Sequence, residues 1–271
     1  MVKMKDILEE IVATKRDFLV KQKKEVPLEI IKGKIGDIVC PVISMRESLL
    51  SSSSGIIAEF KRRSPSKGWI DREADVTTVA KEYEVNGAAA ISVLTDTPYF
   101  GGNLDDLRTA RATTSLPILR KDFIVDEYQL YEAVEAGVNA VLLIAAAIET
   151  DTCAHLAAVA KSLRLETLLE VHRPQELEYI DQNIDMIGVN NRNLGTFHTD
   201  IKISFQIASM LPKDKLLVSE SGISSGLTVK KLRQAGFRGF LIGENFMKTS
   251  DRGAALKNFI SSISETSGIK L

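Results

Sequence analysis

Glu59 and Lys61 stand either side of Phe60, at the end of an apolar run that starts at Ile56. Side chains two apart on a strand point the same way. Acid and base therefore share one face, within reach of one small molecule. Buried charge is costly unless it is paired, so this run reads as a wall of an active site and not as core. The pattern returns downstream. Lys121 closes Leu119-Arg120-Lys121, and Glu170 closes Leu168-Leu169-Glu170. Asn190 follows Gly188-Val189, with Arg192 just beyond it, and Glu220 closes Val218-Ser219-Glu220. Each has a plainer reading alone: Lys121 could snorkel to solvent, and Glu170 could belong to a structural ion pair. Gathered at one rim, these lysines, glutamates and an amide could give and take protons on an anionic substrate.

A shared rim requires the runs to be parallel neighbours. Apolar runs predict eight strands, at residues 56–60, 89–94, 117–121, 140–144, 167–171, 186–190, 216–220 and 240–243. Most are continuously apolar, as parallel strands buried on both faces are. Their spacing leaves room for a helix and two short loops in each interval. Helix starts are signalled by Asp75, Asn103, Asp126, Arg173-Pro174, Ser224 or Ser225, and Asp251. Gly87, Gly137 and Gly236 each end a helical stretch, and after two more residues a small residue leads into an apolar strand. The expectation is a (β/α)8 TIM barrel, with a doubly wound open sheet as the alternative. Residues 1–271 would form one domain, in which residues 1–50 are a helical extension packed on the barrel. Ile7, Ile11, Phe18 and Leu19 predict the apolar face of its first helix, and the serines at 51–54 a flexible turn.

Two loops suggest an anion site. Ser221-Gly222 follows the seventh run, and Gly243-Glu244 follows the eighth. Glycine lets backbone N–H groups approach a phosphate, and loops after the last two barrel strands are its usual seat. The Glu244 side chain is expected to turn away from such a phosphate. Residues 62–75, which include Ser64 and Pro65, are too long for an ordinary first loop. They read as a polar lid that closes over substrate.

Composition excludes several classes of function. A net charge of −1 gives no electrostatic reason to expect nucleic acid or an anionic membrane as partner. The longest apolar run, 140–148, is far short of the roughly 20 residues that span a bilayer. The N-terminus mixes Lys3 and Lys5 with Asp6, Glu9 and Glu10, which is not a secretory signal. Cys40 and Cys153 are the only cysteines, and the three histidines lack ligand spacing, so neither a disulfide framework nor a metal site is indicated. A cytoplasmic monomer without metal or cofactor, acting on a small phosphorylated molecule, is expected.

At these residues the chain resembles the indole-3-glycerol phosphate synthase family. The resemblance is carried by IAEFKRRSPSKG (residues 57–68), SVLTD (92–96), LRKDF (119–123), LEVH (169–172), GVNNRNLGTF (188–197), VSESGI (218–223) and LIGE (241–244). ILEEIVATK at 7–15 is similar to the family's extra helix. Val138-Asn139 and Asn245-Phe246 depart from the commoner family residues, outside the motifs that carry chemistry.

The resemblance implies a TIM-barrel lyase of tryptophan biosynthesis. Its substrate would be 1-(2-carboxyphenylamino)-1-deoxyribulose 5-phosphate, closed to indole-3-glycerol phosphate with loss of carbon dioxide and water. It implies Lys121 as general acid, Glu170 as a proton handler in dehydration and Lys61 as a second catalytic lysine. Glu59 and Glu220 would hold the lysines, while Asn190 and Arg192 contact substrate. Ser64, Ser221, Gly222, Gly243 and Glu244 would bind substrate, the last four around its phosphate. Phe100, Phe123 and Leu194 would wall its aromatic ring. Rival readings are a barrel aldolase using Lys121 as a Schiff base, a phosphoribosylanthranilate isomerase, and a barrel without activity that serves as a scaffold.

Overall fold

A computed structural model describes residues 7–36 and 43–265; Cys40 and the charged residues at positions 3, 5 and 6 lie outside the described residues. Helices α1 (Ile7–Glu25), α2 (Leu28–Ile35) and α3 (Met45–Ser51) precede strand β1 (Ile56–Phe60). A hairpin, β2 (Arg63–Ser64) and β3 (Gly68–Trp69), follows before α4 (Val76–Val85). Next come β4 (Ala90–Leu94), α5 (Thr97–Phe100), α6 (Leu104–Thr113), β5 (Ile118–Lys121), α7 (Tyr128–Glu135) and β6 (Ala140–Ile144). Then α8 (Thr150–Ser162) leads to β7 (Glu166–Val171), a 3-10 segment (Pro174–Tyr179) and β8 (Met186–Asn190). The chain finishes with α9 (Lys202–Ala208), β9 (Leu216–Glu220), α10 (Gly226–Gln234), β10 (Gly239–Ile242), α11 (Glu244–Met247) and α12 (Arg252–Glu265).

Eight parallel strands close into a barrel in the order β1-β10-β9-β8-β7-β6-β5-β4. This is the expected TIM barrel, and closure excludes the open sheet. The helix starts follow the side-chain chemistry. Asp75, Asn103 and Ser225 accept the capping N–H bonds of α4, α6 and α10, and Asn103 forms a reciprocal capping box with Asp106. Gly87, Gly137 and Gly236 all have positive φ, as the helix-to-strand turns require.

Alternation along the strands divides the core in two. Ile56, Ala58 and Phe60 face the helices, whereas Ile57 joins an inner cluster with Leu119, Leu142, Leu168, Met186, Leu216, Val218 and Leu241. One or two steps of two residues further along, the inner row changes character. Ile57 gives way to Glu59, Leu119 to Lys121, Leu168 to Glu170, and Val218 to Glu220. Apolar side chains fill the barrel floor, and the next layer is charged.

The extension seals both ends. At the base, Met45 and Leu49 of α3 join the inner cluster. Glu166, the first residue of β7, accepts bonds from the Ser44 hydroxyl and from the Met45 and Arg46 N–H groups at 2.5, 2.6 and 3.1 Å. At the mouth, Leu8, Ile11 and Val12 of α1 pack on the same cluster from the other side. The buried stripe of α1 is Leu8, Ile11, Val12, Lys15 and Leu19. Phe18, expected on that face, is 55% exposed. The helix is rotated because two carboxylates draw Lys15 inward. Its Nζ lies 2.9 Å from Asp96 and 2.8 Å from Asp122, all three side chains being buried. Asp122 also pairs with Arg120, which reaches Glu132 on α7.

Residues 62–75 are not a featureless loop. Arg63 pairs with Trp69 and Ser64 with Gly68 in the small antiparallel hairpin. Arg62 holds Asp106 through two bonds of 2.6 and 2.8 Å, and the Trp69 ring is met by the Arg63 and Arg72 guanidinium groups. The 51–54 serines are likewise ordered by their own hydroxyls. Ser52 accepts the Ser54 and Gly55 N–H groups, and buried Ser54 donates to the Gly87 carbonyl.

Removing Lys15 while leaving Asp96 and Asp122 buried should cost about 3 kcal/mol or more, which urea unfolding of Lys15→Met will measure. Burial alone would raise the Asp122 carboxyl, but Lys15 and Arg120 outweigh it and hold it down at about 2. A depressed carboxyl stabilises above its unfolded value, about 3.9, and its contribution vanishes as pH falls toward 2. The wild-type stability should therefore drop across that acidic window, and Lys15→Met should show a shallower drop.

Candidate active site

Above the charged layer lies a cavity of about 480 Å³. Glu59, Lys61, Lys121, Glu170, Asn190 and Glu220, drawn from five strands or their ends, all line it. The Lys61 ammonium sits 2.5 Å from Glu59. The Lys121 ammonium lies between Glu170 and Glu220, at 3.3 and 3.5 Å. These are charge pairs held out of water, where electrostatic interaction is strong and an unmatched charge expensive.

Burial sets the baseline for each group, and neighbours decide the result. Burial would lower Lys121, but Glu170, then Glu220 and Glu59, hold its ammonium far above the ordinary range. Burial would raise Glu59, yet Lys61 and Lys121 pull it below the usual carboxylate value. Glu170 is likewise raised by burial but lowered overall, by Lys121 and then His172. Glu220 goes the other way. Burial raises it, and its neighbouring carboxylates Glu170 and Glu59 add to the rise against the pull of Lys121. The site thus holds an ammonium acid, ionised carboxylates and a carboxyl biased to keep its proton.

Two glycines make this crowding possible. A Cβ on Gly188 would overlap Glu220 Oε1, and one on Gly243 would overlap Glu59 Oε1. Asn191, fully buried at the end of β8, fixes the other side of the rim. Its amide donates to the Ser219 hydroxyl and to the carbonyls of Glu220 and Ser221, and its carbonyl accepts from the Ser204 N–H and hydroxyl. Ser221 and Gly222 follow with φ of 64° and 74°. These successive left-handed residues bend the chain sharply as it leaves β9, and both line the cavity.

The remaining expected residues divide. Phe100 and Phe123 line the cavity with ring centroids 6.2 Å apart, and Leu194 completes an apolar wall with Ile7, Leu8 and Ile11 of α1. Arg192, Gly243 and Glu244 also line it. The Glu244 carboxylate is held by two cations. It stands 3.9 Å from Arg192 and 3.7 Å from Lys67, because these two cations at the rim attract it. Ser64 is not on the wall. The hairpin buries its side chain, whose hydroxyl has no hydrogen-bond partner among the described residues, while Pro65, Ser66 and Lys67 face the cavity instead. Asn191, Gly188 and the α1 residues were not singled out as site-forming in the sequence. Asn191 stands beside Asn190 in the same motif, which was the one available signal. Among the described residues no His, Cys, Asp and Glu cluster could hold a metal ion, and no helix is long and apolar enough to cross a membrane.

A sequence model of the indole-3-glycerol phosphate synthase family matches residues 8–259. The chain belongs to that family. It is 56% identical over 260 residues to an indole-3-glycerol phosphate synthase from Bacteroides thetaiotaomicron, covering 96% of this chain and 100% of that protein. A Burkholderia vietnamiensis protein of the same name is 42% identical, covering 93% of this chain and 98% of its own length. One from Desulfosudis oleivorans is 40% identical, with 95% and 99% covered. Family membership makes the chain an enzyme, a carboxy-lyase. The matched span takes in α1 from Leu8 onward.

Gly188→Ala should push the Glu220 carboxyl off Lys121. A displacement near 1 Å can cost about 10²-fold in rate. Turnover should fall toward that level while circular dichroism remains that of the folded barrel.

Proposed function

We propose that this cavity converts 1-(2-carboxyphenylamino)-1-deoxyribulose 5-phosphate to indole-3-glycerol phosphate, with Lys121 and Glu170 as the principal proton carriers. The substrate carries roughly −3 charge, its phosphate contributing nearly −2. Lys61, Lys121 and Arg192 line the cavity to oppose it. The aromatic ring fits between Phe100, Phe123 and Leu194, and the phosphate fits the Ser221-Gly222 and Gly243-Glu244 loops.

Ring closure joins the carboxylate-bearing aromatic carbon to the ribulose carbonyl carbon. The carbonyl oxygen becomes a hydroxyl by taking a proton, and Lys121 is the acid placed to give it. Loss of carbon dioxide then returns the bonding electrons to the ring. Dehydration follows: the hydroxyl departs with a proton as water, and a ring C–H proton is removed. Glu170 handles a proton in this step, and Lys61, steadied by Glu59, interacts with the substrate's anionic groups. Stabilising the developing alkoxide is a large electrostatic contribution in such closed sites. The scheme calls for no metal or cofactor, one chain supplies every residue it uses, and a cytoplasmic monomer is part of the proposal.

The observation that carries this reading is the setting of Lys121. A Schiff-base lysine must be a neutral amine to attack a carbonyl. The Lys121 ammonium instead stands 3.3 Å from Glu170 and 3.5 Å from Glu220, and its carboxylate neighbours keep it protonated; it has a proton to give and no free amine for an imine, which disfavours the aldolase alternative.

Purified protein mixed with the carboxyphenylamino-deoxyribulose phosphate should develop indole fluorescence and release carbon dioxide; a silent mixture would overturn the proposal and favour a scaffold. Lys121→Ala should reduce kcat by about 10²-fold or more, the scale of a lost general acid, with little change in KM. Glu170→Gln should lower kcat in a chain whose unfolding midpoint is retained, and unaltered turnover would remove Glu170 from the scheme.

A further inference from the structure

Glu170 and Glu220 flank Lys121 at nearly equal distances, 3.3 and 3.5 Å. Two buried carboxyls so close to one another share their protons as a pair, and the site needs a reason to ionise one and not the other. That reason lies behind Glu170. Its Oε2 faces Lys121, while its Oε1 lies 3.3 Å from His172 Nε2. Behind the imidazole, Glu176 Oε2 stands 3.6 Å from Nδ1 and accepts the His172 backbone N–H at 2.7 Å. Glu176 is itself buried, and Arg173 Nε anchors its other oxygen at 2.7 Å. Glu220 has no such support. Among the described residues Lys121 is the one cation within ion-pair distance of it. His172 does not line the cavity, so it acts through Glu170.

We propose that His172, held as an imidazolium between Glu170 and Glu176, is the positioning residue that makes Glu170, and not Glu220, the ionised carboxylate beside Lys121. Burial favours neutral imidazole, but the two carboxylates outweigh it and lift His172 to about 9. The groups facing His172 are Glu170 from β7 and Glu176 from the 3-10 segment. Those facing Glu170 are Lys121, His172, Asn190 and Glu220, and those facing Glu220 are Lys121, Glu170 and Glu59. The His172 cation, with the Asn190 amide beside it, thus selects between the two carboxyls. The inference rests on the proposed function for the role of Glu170, but the charge of His172 can be read without turnover.

The sign of the effect is fixed. Below the pH at which His172 loses its proton, the imidazolium favours Glu170 as a carboxylate. Without it, Glu170 takes up a proton at higher pH, and the acid limb of the kcat profile moves upward. An opposite charge at this range shifts a carboxyl by about 1 unit or more, so His172→Gln should move that limb by about 1 unit with KM little altered.

The second measurement is a side-chain nitrogen NMR titration of the wild-type protein, simplified by its three histidines and assigned through His172→Gln. Both ring nitrogens of His172 should carry protons at neutral pH, with a midpoint well above the ordinary value of about 6.5. Glu176→Gln should lower that midpoint, and it carries the test if His172→Gln does not fold. A His172 midpoint near the ordinary value would overturn the inference, as would superimposable acid limbs for wild type and His172→Gln. Absence of product from the wild type would instead sink the proposed function, while the titration would still decide the charge of His172.

Discussion

The whole mouth of this barrel is organised around keeping one buried ammonium in company. Lys121 cannot remain charged out of water without partners, and Glu170, Glu220 and Glu59 supply them. Glu59 and Glu170 ionise together beside it only with further cations, so Lys61 joins Glu59 and His172 joins Glu170, while Glu220 is biased to keep its proton. Each added charge needs room and a fixed position. Gly188 and Gly243 give the room by lacking a Cβ, and Asn191 fixes the chain where β9 ends. The apolar floor below and the α1 wall above keep water from weakening the set. Function and architecture meet in this one requirement.

That requirement also made much of the molecule legible from its residues. A strand buried on both faces has little reason to end in Glu59 and Lys61 unless the last inward step enters a site. The same logic located Lys121, Glu170, Asn190 and Glu220, because inner-row positions recur every two residues and five strands stop at a similar height. The strands themselves were legible because continuous Val, Ile and Leu runs leave few alternatives in a parallel sheet. The helix caps were legible because Asp75, Asn103 and Ser225 need only local geometry to act.

What escaped depends on contacts distant in sequence. Lys15 lies on an ordinary charged helix until Asp96 and Asp122, far along the chain, turn it inward; Phe18 was then displaced from the buried face. His172 looks like a rim residue until Glu176 closes behind it. The hairpin after β1 has strands of two residues each, too short to leave a periodic trace, and its burial of Ser64 follows from pairing with Gly68. Glu244 pairs with Lys67 and Arg192 at the rim, which no local pattern reveals.

The Lys15 contact has a consequence for how this barrel could be dissected. Cutting the chain just before β1 looks safe on a diagram of eight repeating units, since no strand would be lost. Such an excised barrel would keep Asp96 and Asp122 in a pit whose counter-ion had been discarded, and it would lose Met45 and Leu49 from its base. Any grafting or half-barrel exchange that borrows these eight strands must carry the leading helices with them.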